Sequence, residues 1–289
     1  MEQKYILKNC DSFEPKHIFE CGQCFRWNKN EDGSYTGVFG NNVINVNKIN
    51  QEIIFQGICD GDIKNICENY FDLKRDYEKI KSNLSNIDNH MKESIKYGSG
   101  IRILNQDLWE TVISFIISAN NNIPRIKGII ERLSKEYGKK IVWQSKEYYT
   151  FPTVEELSKA SIEDLRKQGL GFRDKRVYET TQIFLKNKDF EKQLKEESDY
   201  EKIRNSLLEL PGVGPKVADC ILLFSTLKKL EAFPIDVWVK RVVEELYFNE
   251  EKELKITNEI LNKLAKEKYG ELAGIAQQYL FYWRREAWV

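Results

Sequence analysis

One lysine of the chain lies in a segment whose composition is typical of a tight turn between two helices. Residues 207–220 read LLELPGVGPKVADC, where an apolar helical pattern leads into Pro-Gly-Val-Gly and a second helix can begin at Pro215. Gly212, Val213 and Gly214 would leave backbone N–H groups exposed at the start of that helix, an arrangement suited to binding a phosphate. The glycines alone could form an ordinary turn, but the full string is far more specific.

Lys216 falls in the first turn of the second predicted helix, where the positive end of the helix dipole destabilises an ammonium ion. A neutral lysine is a nucleophile and forms Schiff bases with carbonyl-like carbon centres. Asp236 follows an apolar run that ends in Pro234, so we expect it to cap a helix with an ionised carboxylate. Separately, the two residues could be a solvated surface lysine and a simple helix cap. Together, at neighbouring helix N-termini, they predict a catalytic pair.

The elements that position these residues belong to two parts of the chain with different periodicity. Residues 24–55 form short runs of alternating residue types separated by turn signals, which predicts an antiparallel meander. A helical pattern follows near residues 73–83. From residue 101 apolar residues recur at helical spacing, in segments that we expect to form roughly eight helices after some merge. The candidate segments are 107–118, 124–137, 153–159, 161–167, 173–187, 198–208, 215–225, 236–247, 257–268 and 270–286.

We therefore predict an α+β fold. An N-terminal antiparallel β-sheet domain, residues 1–100, would pack on a larger, mainly helical domain, residues 101–289, with the active site at their cleft.

The composition excludes several classes of protein. The 289 residues are 41% hydrophobic and 31% charged, without an apolar run of membrane-spanning length or a low-complexity tract, which excludes collagen-like, mucin-like and membrane-spanning chains. The N-terminal residues lack the pattern of a secretory signal, so we expect a cytoplasmic protein, with the nucleus left open. Because 45 basic residues balance 45 acidic ones, any nucleic-acid binding must come from locally placed groups.

The cysteines and histidines offer few metal ligands. Cys21 and Cys24 have the spacing of half a zinc site or of a redox pair, but the chain has only two histidines, His17 and His90, and a zinc site needs two more ligands at matching spacing. We expect reduced, mostly buried thiols and no metal site. Catalysis by a Ser-His-Asp or Cys-His arrangement is also disfavoured, because neither histidine stands beside a plausible nucleophile.

Six ordered motifs resemble one family of DNA repair enzymes. A helix-hairpin-helix followed by a Pro-containing loop and an aspartate is the signature of the HhH-GPD superfamily of DNA glycosylases, and the hairpin string looks like that of the 8-oxoguanine branch. The other matches are residues 22–27 (GQCFRW), 118–125 (SANNNIPR), 169–173 (GLGFR), 233–238 (FPIDVW) and 273–281 (AGIAQQYLF).

The resemblance implies excision of 8-oxoguanine from duplex DNA, preferably opposite cytosine, followed by strand cleavage. Lys216 would attack C1′ of the damaged nucleotide and form the Schiff base that permits β-elimination. Asp236 would orient the lysine and stabilise positive charge on the sugar, with no cofactor required. The extruded base would enter a pocket formed by Gly22, Cys220, Gln277 and Phe281. In it, Gly22 would accept the N7 proton that guanine lacks, and Gln277 would read the Watson–Crick edge.

The resemblance implies that Asn120, Arg125 and Arg173 read the orphaned cytosine of the opposite strand. It also implies that Phe172 is the wedge inserted beside the extruded base. From the residues alone, Asn120 could belong to a simple helix-ending turn, the arginines could be surface charges, Phe281 could be core and Gln277 solvated. The partner would be double-stranded DNA containing 8-oxoguanine. We expect a monomer that does not bind membranes.

Two departures and two alternatives accompany this resemblance. Trp238 stands where many relatives carry a histidine near the lesion phosphate, which puts the phosphate contacts there in doubt. No cysteine follows Cys220, so the iron-sulfur cluster of the endonuclease III relatives has no ligands here.

A related glycosylase for alkylated or mispaired bases, using water instead of Lys216, is one alternative function. A non-catalytic helix-hairpin-helix DNA-binding module is the other.

Overall fold

A computed structural model describes residues 1–248 and 255–287 of the chain. The N-terminal part contains a five-stranded antiparallel sheet in the order β1-β5-β4-β3-β2. The strands are β1 (Glu2–Lys8), β2 (Trp27–Lys29), β3 (Tyr35–Phe39), β4 (Asn42–Ile49) and β5 (Glu52–Ile58).

The predicted meander is confirmed for β2 to β5, which pair in chain order. Strand β1 was not predicted. It pairs with β5, with Tyr5 opposite Phe55, and returns the chain start to the far edge of the sheet. Its residues alternate between exposed and half-buried positions, so the apolar periodicity that marks a buried strand is weak.

Four helices cover the sheet and lead away from it: α1 (Pro15–Phe19), α2 (Ile63–Tyr70), α3 (Tyr77–Ser85) and α4 (Asn89–Tyr97). Under the sheet lies an aromatic core in which Phe19 stacks on Trp27 at 4.1 Å and Phe39 stacks on Tyr70 at 3.8 Å, measured between ring centroids. The Trp27 indole N–H donates to the Tyr70 hydroxyl at 3.1 Å, so the buried polar atoms of this core are paired.

The rest of the described chain is mainly helical, which confirms the predicted α+β class. Its helices are α5 (Leu108–Ser118), α6 (Ile123–Tyr137), α7 (Val154–Leu157), α8 (Ile162–Lys167), α9 (Asp174–Lys186), α10 (Phe190–Glu196), α11 (Tyr200–Leu208), α12 (Pro215–Phe224), α13 (Val237–Tyr247), α14 (Asn258–Tyr269) and α15 (Ala273–Ala287).

All ten candidate segments form separate helices, so the expected merging to about eight is wrong. Start signals explain the separation: Thr153 and Ser161 each form a capping box with the residue three positions later, which begins α7 and α8 as distinct helices. Helix α10 was not predicted. The hairpin of β6 (Lys140–Trp143) and β7 (Lys146–Tyr149) was also missed, because its turn places Gln144 and Ser145, rather than glycine or asparagine, at positive φ.

The main apolar core spans both parts of the chain. It joins α5, α12 and α15 to residues of α3 and α4, including Tyr77 and Met91, and α4 packs on α15. The domain boundary near residue 100 stays a prediction from the sequence. None of the helices in residues 1–248 and 255–287 is long and apolar enough to cross a membrane.

Arg102 joins the two parts through backbone carbonyls. The side chain is buried, and its guanidinium donates to the carbonyl oxygens of Phe71 at 3.0 Å, Ser12 at 3.1 Å and Asp72 at 2.5 Å. The same group lies 4.1 Å from the centroid of the Tyr77 ring. One side chain therefore satisfies carbonyls of two separate irregular segments.

We predict that Arg102→Met destabilises the protein by about 3 kcal/mol or more, because buried carbonyls lose their donors. Chemical denaturation would measure the change in the free energy of unfolding, with the exposed Arg241→Met as the control. A loss below about 1 kcal/mol would mean that water or other donors replace the guanidinium.

Candidate active site

The predicted hairpin is present between α11 and α12. Gly212 has φ +88, and a Cβ built there would lie 2.9 Å from Cδ of Arg176, so this turn needs glycine for both backbone conformation and space. Gly214 is the exposed N-cap of α12 and Pro215 is its first residue, as the sequence indicates. The N-terminus of α12 therefore faces solvent with no side chain capping it.

A partly buried ion pair joins the two helices of the hairpin. Arg204 of α11 contacts the carboxylate of Asp219 on α12 through Nε at 2.7 Å and Nη2 at 3.4 Å. Burial raises the pKa of the Asp219 carboxyl despite its arginine partner. Both residues line a different pocket from the cleft that contains Lys216, so the pair positions the helix.

Lys216 and Asp236 open into one cleft of about 570 Å³. Lys216 is half-buried, with Nζ 5.3 Å from the centroid of the Phe115 ring. Asp236 caps α13 as predicted and accepts a hydrogen bond from the Val239 backbone N–H at 2.8 Å. Lys216, in the first turn of α12, and Asp236, at the N-cap of α13, therefore line the same cleft.

The four residues predicted to form a base pocket line the same cleft. Cys220 lies one turn after Lys216 on α12, and Gln277 and Phe281 lie one turn apart on α15. Gly22 has φ +86, and a Cβ there would lie 3.8 Å from Cε1 of Phe281, so its backbone passes directly over the edge of that ring. Burial raises the pKa of the Cys220 thiol to about 11, while the nearby Lys216 lowers it less strongly.

Gln23 holds Gly22 in place, and the sequence reasoning did not single it out. Its buried amide donates to the carbonyl oxygens of Ile18 at 3.0 Å and Arg102 at 2.8 Å, and accepts from the Leu104 N–H at 2.9 Å. Its backbone carbonyl accepts from Gln106 at 2.7 Å. Gln23 falls within the GQCFRW motif of residues 22–27, but a glutamine gives no signal of burial unless its distant partners are known.

Three further residues at the cleft were also missed. Arg285 of α15 lies with its guanidinium carbon 5.4 Å from the centroid of the Phe281 ring and donates to the Glu20 carbonyl. Gln278 and Cys21 are buried in the cleft wall. The basic residue at the end of a helix and the second glutamine of a pair carry no chemical signal in the sequence alone. Trp238 is half-exposed at the rim, with Arg241 stacked near its ring.

Asn120, Arg125 and Arg173 were predicted to read the opposite strand. Of these three described residues, Asn120 lines the cleft and the two arginines do not. Asn120 adopts φ +50 in the turn between α5 and α6. Arg173 is almost fully buried and donates to the carbonyl oxygens of Ala119 at 2.6 and 2.9 Å, Asn120 at 2.7 Å and Leu170 at 3.2 Å. Arg173 thereby stabilises the Asn120 turn.

Phe172 projects beside this turn. Its side chain is 56% exposed, and the guanidinium carbons of Arg173 and Arg176 lie 4.2 and 5.4 Å from its ring centroid. Arg125 is exposed and donates to the Gly169 carbonyl at 3.3 Å. Burial lowers the pKa of Arg173, and the charges of Arg125 and Arg176 lower it further, which identifies a local positive cluster in a chain of zero net charge.

The six cysteines, all within the described residues, form no disulfide. Burial raises the pKa of the Cys21 thiol to about 11 and raises that of Cys24 further. Across residues 1–248 and 255–287 no group of three or more His, Cys, Asp or Glu side chains is placed to hold a metal ion.

Comparison with known families decides the class. Residues 5–112 match the model of the 8-oxoguanine DNA glycosylase N-terminal domain, and residues 113–267 match that of the HhH-GPD superfamily base excision DNA repair proteins. The chain belongs to the HhH-GPD superfamily. A relative described as a probable N-glycosylase/DNA lyase from Methanothermobacter thermautotrophicus is 34% identical over 234 residues, which are 74% of this chain and 72% of the relative. The family resemblance drawn from the motifs is confirmed.

Solved structures of the family superpose on nearly the whole chain. The 8-oxoguanine glycosylase/lyase of Clostridium acetobutylicum in its apo form is 42% identical, with a TM-score of 0.90 over 98% of this chain and 97% of that one. The same enzyme in complex with double-stranded DNA containing cytosine opposite 8-oxoguanine is 41% identical, with a TM-score of 0.92 over 100% and 99%. A 3-methyladenine DNA glycosylase from Archaeoglobus fulgidus, 19% identical, shares the fold with a TM-score of 0.77.

We predict that Gln23→Leu loosens the Gly22 turn. The change leaves the Arg102 carbonyl and the Leu104 N–H without partners, so we expect a loss of about 2 to 4 kcal/mol in the free energy of unfolding. The buried Cys21 thiol should then react faster with a thiol reagent under native conditions. The exposed Gln193→Leu is the control, and unchanged Cys21 reactivity in a destabilised Gln23→Leu would contradict the positioning role.

Proposed function

We propose that this protein removes 8-oxoguanine from duplex DNA, preferably opposite cytosine, through a Schiff base on Lys216 and then cleaves the strand by β-elimination. The observation that carries the proposal is the cleft itself, in which Lys216, Asp236 and the four base-pocket residues meet. The Clostridium acetobutylicum glycosylase/lyase, similar over the full length of the chain, supports the same substrate.

The amine of Lys216 attacks C1′ of the damaged nucleotide. The new C–N bond replaces the glycosidic bond, whose electrons leave with the base, and the base takes up a proton. The carboxylate of Asp236 accepts a hydrogen bond from the Val239 N–H, and its negative charge would stabilise the cationic sugar as the bond breaks. Ring opening gives a Schiff base, and loss of a proton from C2′ then expels the 3′ phosphate. Lysine and aspartate supply these steps, so we propose that no cofactor is required.

The pocket selects the lesion by one hydrogen bond and by stacking. The Gly22 carbonyl would accept the N7 proton of 8-oxoguanine, whereas guanine would place its N7 lone pair against that oxygen. Because the Cys220 pKa lies near 11, its thiol stays protonated and acts as a packing surface opposite Phe281. Gln277, at the deep end of the cleft, would bind the Watson–Crick edge.

Phe172 is well placed to wedge into the duplex, since it is exposed and two arginines support its ring. Asn120 and the exposed Arg125 would read the orphaned cytosine. Arg173 would join them only by exchanging some of its bonds to backbone carbonyls, so its present contacts support a positioning role as well. The N-terminus of α12 after Gly212, Val213 and Gly214 would hold a DNA phosphate.

We further propose that the enzyme acts as a monomer beside the chromosome in the cytoplasm. The full-length similarity to the Clostridium acetobutylicum enzyme supports a bacterial-type setting.

Borohydride trapping tests the mechanism. Wild-type protein is mixed with duplexes carrying 8-oxoguanine opposite each of the four bases, and we expect a covalent adduct that is strongest opposite cytosine. Lys216→Gln should form no adduct and release no base but should still bind the lesion, whereas Lys192→Gln on the exposed face of α10 should match the wild type. Base release by Lys216→Gln would indicate a water-using glycosylase. Lesion-independent binding without adduct or release in the wild type would indicate a DNA-binding module.

We predict that Phe281→Ala weakens binding to a lesion duplex by roughly tenfold, because a base stacked on an aromatic ring gains about 1 to 3 kcal/mol. Affinity for undamaged duplex should stay the same, since Phe281 lies within the cleft and away from the proposed phosphate contacts. Titrations of both duplexes with trapping-deficient Lys216→Gln protein would measure the two affinities. Equal losses for both duplexes would reject the pocket assignment.

A further inference from the structure

A second buried glutamine stands beside Gln277 in the cleft wall. Gln278 is 4% exposed and Gln277 is 3% exposed, and both line the cleft. Successive residues of a helix point about 100° apart, so neighbouring side chains rarely meet. Here Nε2 of Gln278 donates to Oε1 of Gln277 at 2.7 Å, which requires both amides to bend toward the same space.

The amide oxygen of Gln278 has no hydrogen-bond partner among the described residues, although it is buried. An unpaired buried acceptor costs about 1 to 3 kcal/mol, and proteins seldom leave one without a functional reason. A glutamine retained only to fill space would be better replaced by an apolar residue of similar volume. Because Gln278 also lines the cleft, a group bound there could donate the hydrogen bond that its oxygen lacks.

The bond between the two amides leaves one amide oxygen and one NH2 group that take no part in it. With Gln278 donating, the available groups are Oε1 of Gln278 and Nε2 of Gln277, and reversing both amides exchanges the two. The Watson–Crick edge of guanine and of 8-oxoguanine has the matching pattern, with the O6 acceptor next to the N1–H donor. A single free glutamine could rotate to satisfy many edges, whereas the coupled pair requires adjacent donor and acceptor groups.

We propose that Gln278 is a specificity-determining residue of the base pocket, which sets the orientation of the Gln277 amide and adds a hydrogen-bond acceptor for an N–H group of the extruded base. This inference rests on the proposed function, because the bound group is the base of the excised nucleotide. The contribution of Gln278 is made to the base alone, and the sugar chemistry of Lys216 and Asp236 does not depend on it.

The test compares two reactions of the same protein. Excision of 8-oxoguanine needs base recognition, while borohydride trapping at a preformed abasic site involves the sugar and no base. With Gln278→Met, which keeps the volume and removes the amide, we expect single-turnover excision to fall by roughly 3- to 10-fold, the effect of one or two lost hydrogen bonds. Abasic-site trapping should stay within about twofold of the wild-type rate. Gln193→Met, on exposed α10, is the matched control.

A double-mutant cycle adds the coupling between the amides. If they act as a unit, Gln277→Met combined with Gln278→Met should excise little more slowly than the slower single variant. Additive losses, equal losses at 8-oxoguanine and at the abasic site, or unchanged excision by Gln278→Met would each overturn the proposal. Gln278→Ala serves if the methionine variant does not fold, and failure of both to fold would assign the amide to structure. If the wild type releases no 8-oxoguanine, the proposed function itself fails.

Discussion

The site depends on hydrogen bonds that connect Gln23, Arg102 and Gln106, which lie in segments without regular structure. Such backbone can be buried only if side chains satisfy its N–H and C=O groups. Gln23 pairs with the Arg102 and Leu104 backbone, and Gln106 donates both to the Gln23 carbonyl and to the Phe224 carbonyl, at 2.7 and 3.2 Å. Phe224 ends α12, the helix that carries Lys216. Gln23 and Gln106 thus connect the Gly22 turn, which would recognise the base, to α12, which carries the lysine that would attack the sugar.

This connection has a mechanical consequence for recognition and chemistry. Gly22 and Lys216 are almost two hundred positions apart in the chain, and each lies on a local structure that could move independently. Because several hydrogen bonds make this connection, a displacement of the Gly22 turn must either break those hydrogen bonds or move the end of α12. In the proposed mechanism, a base that fits against Gly22 would therefore be held at a constant position relative to the amine of Lys216, as preorganised catalysis requires.

Local signals were sufficient to predict most helices and the positions of Lys216 and Asp236 at helix N-termini. Capping residues, the Pro-Gly-Val-Gly turn and the apolar run before Asp236 act over a few residues, so the sequence could predict them. The burial of Gln23 and the packing of Arg285 against Glu20 depend on partners far along the chain, which periodicity does not reveal. The same reason explains the missed strand β1, which is held by its pairing with β5 and by contacts with α2. The roles at Gly22, Gln277 and Phe281 came from family resemblance, and the structure adds that these residues share one cleft.

Burial keeps the thiols that line the cleft protonated. Two thiols, Cys21 and Cys220, line the wall near Lys216, and a thiolate would compete with an amine for an electrophilic sugar carbon. Burial raises both thiol pKa values to about 11, so roughly one thiol in ten thousand is ionised at pH 7. The charge of Lys216 lowers the pKa of Cys220 only in part, because desolvation is the larger effect. The apolar packing that gives the base a surface to stack on therefore also keeps these thiols in their neutral, weakly nucleophilic form.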